Sequence, residues 1–215
     1  MASYRSEYHS SILDPNTVVI VVEDTLNPNE GSKAYPALSK AYHEGIEPSL
    51  TSDQQQVIGQ DLRKVIVGVA SLTFQDGSNR RGQFQPEIGA PEYHPIGDAN
   101  NRGRDTSAEG GRRYAQATSG PKQRILRGHM KVATIAVHPA YWQKSHASKI
   151  MDWIVALADT DNQPLVVSAA KMGVRVFQKY NFRMVENVVV PGYDRHPSDI
   201  NLWMGRREVA GRAAL

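Results

Sequence analysis

Strand patterns and amphipathic helix patterns alternate between residues 130 and 206, and this order constrains the fold more than any other feature of the chain. Apolar runs predict strands at 131–137, 164–169, 183–191 and 200–205, and apolar spacing predicts helices at 145–159 and 172–180. Two strands joined through a helix lie parallel with a right-handed crossover, whereas the last two strands follow each other across a short connection. The order therefore predicts an α/β (α+β) fold with a mixed sheet.

Two further strands precede this block. A β-branched run predicts a buried strand at 17–23, and a second apolar run predicts a strand at 64–74 that can pair with the first. The polar chain between them contains short predicted helices at 37–43 and 53–62.

From residue 75 to about residue 128 the composition shifts toward glycine, arginine, asparagine, glutamine and proline, with no periodic apolar face before about 114–126. Such a stretch cannot build a core of its own. We therefore predict a single domain over 1–215 with a long loop insertion at about 75–128. The insertion is either a mobile surface loop or a lid or wall of a substrate site, since very long loops in compact domains are often functional.

The composition excludes several classes of protein and site. The 215 residues include no cysteine, which excludes disulfides, thiolate metal ligands and a cysteine nucleophile. The histidines lack the spacing of metal-ligand pairs, so we predict no metal site. The longest apolar run, at 18–22, is too short for a bilayer, and the net charge of +3 forms no dense basic stripe. We expect a cytoplasmic protein that binds neither membranes nor nucleic acid.

The junction between the strand at 131–137 and the helix at 145–159 is the candidate ligand site. A helix N-terminus carries unpaired N–H groups and a partial positive charge, and a tight turn before it can surround a phosphate. Here Lys144 adds a charge, the hydroxyls of Ser145 and Ser148 add donors, and the small Ala147 lets an anion approach the backbone. Many strand–turn–helix units bind nothing, so the pattern alone favours a structural role over a ligand site.

An ordered set of motifs resembles the GNAT N-acetyltransferase superfamily. The strand ending in Val137-His138-Pro139 resembles the core strand of that family, and the next turn resembles its Q/R-x-x-G-x-G/A loop in a form common in fungal proteins. Residues 177–182 resemble its tyrosine-x-lysine-x-glycine-phenylalanine segment, and 188–191 with 201–204 resemble its closing strands. The resemblance covers 130–206 well, and it covers the strands at 17–25 and 65–74 more loosely.

The resemblance implies a mostly antiparallel sheet flanked by helices, in which the core strand separates from its neighbour to admit the pantetheine arm of acetyl-CoA or CoA. It implies main-chain contacts to pantetheine from Ile135, Ala136 and Val137, with an N–H near Ala136 stabilising the oxyanion. The N–H groups implied for the pyrophosphate belong to Gln143, Lys144, Ser145, His146, Ala147 and Ser148. The implied reaction is direct acyl transfer to an amine or hydroxyl of a small molecule.

The sequence also departs from the pattern of the family. The usual Gln or Arg of the loop falls on Trp142 and its first glycine on Ser145, so the acetyl-CoA loop is degenerate. The usual tyrosine, which can protonate the leaving thiolate, falls on Phe177. Tyr180, about one helical turn further on, either replaces it or packs beside Phe182. About sixteen residues precede the first strand, where the family has a strand and two helices.

The core strand carries no acidic residue that could act as a general base. Thr134 is its polar residue, and His138 at its end is either a base or a structural cap; water and His94 in the insertion are the other candidates. Two functions stay open: an acyl-CoA-dependent N-acyltransferase, or a GNAT-like protein that has lost or changed acetyl transfer and uses the cleft for binding or another small-molecule reaction. An exposed final strand would allow a homodimer.

Overall fold

The computed structural model describes residues 2–33, 64–85, 107–193 and 197–209. Their strands form a six-stranded sheet from β1 (Thr17–Thr25), β2 (Lys64–Thr73), β3 (Met130–Val137), β4 (Leu165–Ala170), β5 (Arg183–Val190) and β6 (Ile200–Arg207). The helices are α1 (Ala2–Leu13), α2 (Ala108–Ile125), α3 (His146–Thr160) and α4 (Lys171–Lys179), with a 3₁₀ turn at Pro139–Tyr141. The helices predicted at 37–43 and 53–62, and His94, lie outside the described residues.

The strands lie in the order β1-β2-β3-β4-β6-β5. β3 and β4 are parallel, and every other neighbouring pair is antiparallel. The parallel pair is joined through α3, because a parallel connection has to cross back over the sheet. The predicted mixed, mostly antiparallel sheet flanked by helices is confirmed, and so is the pairing of the first two strands.

The final strand is not at an edge, which corrects one premise of the sequence analysis. β5 pairs with β6 along its length from Arg183↔Arg206 to Val190↔Ile200, and β6 pairs with β4 on its other side. The chain places β5 outside β6, so β1 and β5 form the edges of the sheet. The homodimer stays a prediction, but an exposed final strand does not support it.

Each face of the sheet is covered by different helices. α3 and α4 cover one face, where Met151, Ile154 and Phe177 pack in one cluster with Leu72 and Met130. α2 covers the opposite face, where Leu126 packs with Val166, Val188, Leu202 and Met204. The alternation along β4 accounts for this division, because Leu165 and Val167 point into the first cluster and Val166 points into the second.

Part of the predicted loop insertion is helical. α2 spans 18 residues although it contains three glycines and Pro121, which weaken a helix. The Ser107 hydroxyl caps its first turn by accepting from the N–H of Gly110 at 3.1 Å. Burial of Leu126 and the packing of Ala117 and Ile125 stabilise its C-terminal half. Tertiary packing therefore overrides the local propensity that predicted a loop.

The residues before β1 also form a helix. α1 contacts β1, and the Asp14 that follows it ties its C-terminal end to the strand by accepting from the N–H of Asn16 at 2.9 Å and from the Thr17 hydroxyl at 2.8 Å. Over the ranges 2–33, 64–85, 107–193 and 197–209, no helix is both long and apolar enough to cross a bilayer.

Candidate functional site

The sheet divides between β3 and β4. These strands pair at Met130↔Leu165, Lys131↔Val166 and Val132↔Val167, and the register ends there although β3 continues to Val137. β4 stays paired with β6 up to Ala170, so the separation lies between β3 and β4 alone. The result is a gap bordered by the main chain of residues 133–137, as the resemblance implied.

Main-chain direction decides which groups of β3 reach the gap. The N–H of His138 donates to the carbonyl of Val67 in β2 at 2.7 Å. Because successive main-chain groups of a strand point to opposite sides, those of Ala136 also face β2, whereas those of Ile135 and Val137 face the gap. Two of the three residues implied for pantetheine thus present main-chain groups there.

Trp142 forms a hydrogen bond with one of these main-chain groups. Its indole N–H donates to the carbonyl of Val137 at 2.7 Å. The side chain at the position where the family has Gln or Arg therefore fixes the turn to the open edge of β3. Nothing in the sequence predicts this contact, because it depends on how the turn folds back on the strand.

The turn before α3 takes left-handed backbone conformations without glycine. Gln143 has a φ of 62°, and Ser145 has a φ of 64° and a ψ of 14° at the residue before the helix. Ser145 therefore adopts the conformation that glycine provides in the loop of the family, at a steric cost of about 1–2 kcal/mol for a residue with a Cβ. The chain therefore builds a tight turn here without glycine.

The backbone donors of this turn have no acceptor in the part of the chain that the structure describes. Among the described residues, none accepts a hydrogen bond from the N–H groups of residues 143–148, whereas the N–H of Lys149 starts the helical pattern by donating to Ser145 at 2.9 Å. These groups lie at the positive end of the α3 dipole. Ala147 and Ser148 are small, so a phosphate has donors and access.

The end of β1 anchors the turn. Tyr141 is 1% exposed, and its hydroxyl oxygen accepts from the N–H of Asn27 at 2.8 Å. His146 is 4% exposed, and its Nε2 lies 3.1 Å from the Asp24 carboxylate. Asp24 continues the inward-facing row of β1 that begins with Val18, so the alternation of the strand places it under the helix.

Charges around the turn are partly compensated. The Lys144 ammonium lies 3.4 Å from the Asp24 carboxylate and 5.0 Å from the centre of the Tyr141 ring. The N–H of Thr25 and then Lys144 and His146 hold the pKa of Asp24 below its ordinary value, against a smaller opposing effect of burial. Lys179 donates to the Ser148 hydroxyl at 3.2 Å and adds a second cation beside the turn.

Phe177 and Tyr180, the two aromatic residues considered for the general acid, lie in different surroundings. Phe177 is 2% exposed and lies against Phe182 with ring centres 5.3 Å apart, so it belongs to the core. The Tyr180 hydroxyl lies 2.8 Å from the carbonyl of Ser148 and 2.6 Å from the Asp152 carboxylate, both on α3. Burial and then Asp152 raise the pKa of Tyr180 above its ordinary value.

The predicted bases on β3 are engaged. The Nδ1 of His138 accepts from the N–H of Ala140 at 3.3 Å, which caps the 3₁₀ turn, and its Nε2 lies 3.4 Å from Glu30. Thr134 lies opposite Ser71 in the β2–β3 ladder and already has an interaction partner. Their catalytic roles stay predictions, and the contacts of His138 are those of a structural cap.

The structure brings the predicted cofactor residues together but adds partners that sequence reasoning missed. Asp24, Asn27 and Asp152 hold the turn or Tyr180 from distant parts of the chain. Asp24 had a signal, since it continues the alternating buried row of β1. Among the described residues, no group of three His, Asp or Glu side chains could hold a metal ion.

No family model and no curated protein sequence matches the chain. Solved structures similar to it include an acetyltransferase of the GNAT family from Streptococcus pneumoniae, at 11% identity over 89% of this chain and 100% of that chain, with a TM-score of 0.39. Another is yncA from Salmonella typhimurium, solved with acetyl-CoA, at 12% identity over 90% and 96%, with a TM-score of 0.39. A third is a polyamine N-acetyltransferase from Drosophila melanogaster, at 10% identity over 88% and 100%, with a TM-score of 0.40. At such values the similarity says nothing of substrate, and the chemistry has to follow from the residues of this chain.

Proposed function

We propose that the protein is an acyl-CoA-dependent N-acyltransferase that transfers an acetyl group directly to the amine of a small molecule. The observation that carries the proposal is the turn at 142–148, whose unclaimed N–H groups lie at the start of α3 and beside the gap between β3 and β4. A pyrophosphate and an extended arm need such a pair of features next to each other. Acetyl-CoA fits the donor set of this turn.

The chain would hold the cofactor mainly through its backbone. The N–H groups of residues 143–148 would bind the pyrophosphate, and the main-chain groups of Ile135 and Val137 would line the arm. When bound, acetyl-CoA supplies a thioester that an amine can attack. An N–H of Ile135 or Val137 faces the gap and is a suitable donor for the oxyanion that develops.

Proton transfer depends little on side chains in this proposal. Phe177 cannot donate a proton, and the Tyr180 proton is held by Ser148 and Asp152. A thiol has a pKa of about 8.5, so a thiolate can leave without a strong acid. The amine has to be neutral when it attacks, and water near the gap can take its second proton.

A second candidate function is cofactor binding without transfer, or a different reaction in the same gap. The burial of Phe177 and the indole bond from Trp142 to the Val137 carbonyl favour it, since both remove a group that could serve acyl transfer. Both candidate functions use the same turn, and they differ in whether thiol is released from acetyl-CoA.

The test is thiol release from acetyl-CoA with a panel of small amines. The proposal expects release that depends on an amine, saturates with acetyl-CoA and is lost in Ser145→Glu, whose carboxylate would repel the pyrophosphate. The matched control Ser10→Glu, on the exposed surface of α1, should keep the activity. Saturable binding of acetyl-CoA with no release for any amine would overturn the proposal in favour of the second candidate.

A further inference from the structure

An open pocket of about 380 Å³ lies on the α2 face of the sheet, where β3 and β4 part. Lys131, Val132 and Ala133 line it from β3, and Ser168 lines it from β4. Those positions flank the last paired residues of the two strands, Val132 and Val167. The pocket therefore opens at the same gap as the turn of α3, but from the other side of the sheet.

The pocket is basic. Lys122 and Arg127 line it from α2 and the residues after it, and Lys131 lines it from β3. Within the described ranges, no carboxylate lies within ion-pair distance of any of the three. Three cations that line one pocket with no carboxylate beside them among the described residues repel one another, and an anion bound there would relieve that repulsion.

Two hydroxyl groups at the pocket carry a proton that no described residue accepts. The Lys122 ammonium donates to the Tyr114 oxygen at 2.9 Å, which leaves the tyrosine proton to be donated elsewhere. The hydroxyl of Ser168 is buried and has no hydrogen-bond partner among the described residues. A buried hydroxyl without a partner is unfavourable, so a ligand oxygen at this point would be stabilising.

A purely structural role accounts for only part of this arrangement. Lys122 lies in the last turn of α2, where a cation complements the negative end of the helix dipole. Lys131 belongs to a strand and gains nothing from that dipole. The unpartnered hydroxyl of Ser168 also has no place in a helix-end role.

We propose that this pocket binds an anionic group, a carboxylate or a phosphate, on the small-molecule amine that accepts the acyl group. The proposal rests on the proposed acyl transfer and names the class of its acceptor. Lys131, Arg127 and Lys122 bind the anion, and the hydroxyls of Ser168 and Tyr114 donate to it. The amine of the same molecule then reaches the gap from the α2 side, while the turn of α3 serves the cofactor from the opposite side.

The first test measures the binding of matched amines to the full chain without acetyl-CoA. Binding is monitored through the amide chemical shifts of Ala133 and Ser168. The probes are phosphoethanolamine against ethanolamine and β-alanine against its amide. Saturable shifts with the anionic member of at least one pair, with affinity at least tenfold above its neutral partner, support the proposal. The pair that responds separates a phosphate from a carboxylate acceptor. Equal responses to the members of both pairs would overturn it.

Variants separate binding from stability. Lys131→Met should weaken the binding of the anionic probe at least tenfold, whereas Lys131→Arg should bind the probe like the wild type. Lys64→Met, which changes an exposed lysine of β2, is the matched control. Unchanged probe binding in a folded Lys131→Met protein would contradict the proposal. Acetyl-CoA binding is measured on the same samples. A protein that prefers the anionic probe but does not bind acetyl-CoA would count against acyl transfer itself. A protein that binds acetyl-CoA but does not prefer the anionic probe would count against the pocket.

Discussion

The turn before α3 and the helix α4 both depart from the pattern of the family that they resemble, with different consequences. The turn lacks glycine, yet Gln143 and Ser145 take left-handed conformations, and no described residue accepts a hydrogen bond from the N–H groups of residues 143–148. α4 has Phe177 where the family has a proton donor, and Phe177 is part of the core.

The difference separates a function that depends on the path of the backbone from one that depends on a single side chain. Phosphate binding by backbone N–H groups depends on the path of the chain, which neighbours such as Tyr141 and Asp24 can enforce. Proton donation depends on one side-chain atom, and no neighbour supplies it when the hydroxyl is absent. The variants below test the two halves of this comparison, beginning with the largest expected effect.

Phe177 tests the claim that α4 contributes to the core. Phe177→Ala should lower the free energy of unfolding by about 3–5 kcal/mol, because it leaves a cavity beside Phe182. Phe177→Tyr should lower it by about 1–3 kcal/mol, because it buries a hydroxyl, and should not raise thiol release. Denaturant unfolding and the thiol assay measure both. A Phe177→Tyr variant with unchanged stability and faster thiol release would contradict the claim that this position contributes only to the core.

Asp24 tests how the turn is held. Asp24→Ala should destabilise the protein by about 1–3 kcal/mol at neutral pH, because the buried His146 loses its partner. The folded-state pKa of Asp24 is depressed, so the stability it contributes is present above its ordinary value of 3.8 and is lost as the pH falls through the lower folded value. Unfolding at pH 7 and pH 3 should therefore show a smaller gap between wild type and variant in acid. An equal gap at both values, or an equal effect of Glu23→Ala on the exposed side of β1, would count against this role.

Ser145 tests the backbone strain of the turn. Ser145→Gly should stabilise the protein by about 1–2 kcal/mol by removing the Cβ from a left-handed conformation. Ala147→Gly is the matched control, and should destabilise by up to about 1 kcal/mol because it lies inside the helix. Thermal unfolding distinguishes the signs. Destabilisation by both changes would mean that Ser145 is not strained.

Tyr180 gives the smallest expected effect. Tyr180→Phe should lower stability by about 0.5–1.5 kcal/mol through the lost bonds to Ser148 and Asp152. Thiol release should stay within about threefold of wild type, whereas loss of a general acid would lower it by about 10²–10⁴-fold. A drop of the second size in a folded variant would show that α4 kept its acid at a shifted position.

Much of the fold was predictable from the sequence, because the apolar periodicity of residues 130–206 is strong and local. The helix α2 was missed because its glycines and Pro121 oppose helix formation, while the contacts that stabilise it come from β4, β5 and β6. The turn was found from its position between a strand and a helix. Its partners Asp24 and Asn27 were not, since each lies more than 110 residues away in the chain.

The basic pocket could not be predicted from the sequence either. Lys122, Arg127 and Lys131 are close in sequence, but nothing in their spacing shows that a loop turns them toward one side of β3. Ser168 lines the pocket from another strand, and only the structure shows that its hydroxyl has no partner among the described residues.

The most direct test of the central claim is thermal stability with and without acetyl-CoA. If the turn at 142–148 binds the pyrophosphate, ligand at a hundredfold over its dissociation constant should stabilise the fold by about 2.7 kcal/mol, a shift of a few degrees. Ser145→Glu should abolish that shift and Ser10→Glu should keep it. The absence of any shift with wild-type protein at millimolar acetyl-CoA would contradict the account, because it would show that the turn has kept its shape without its ligand.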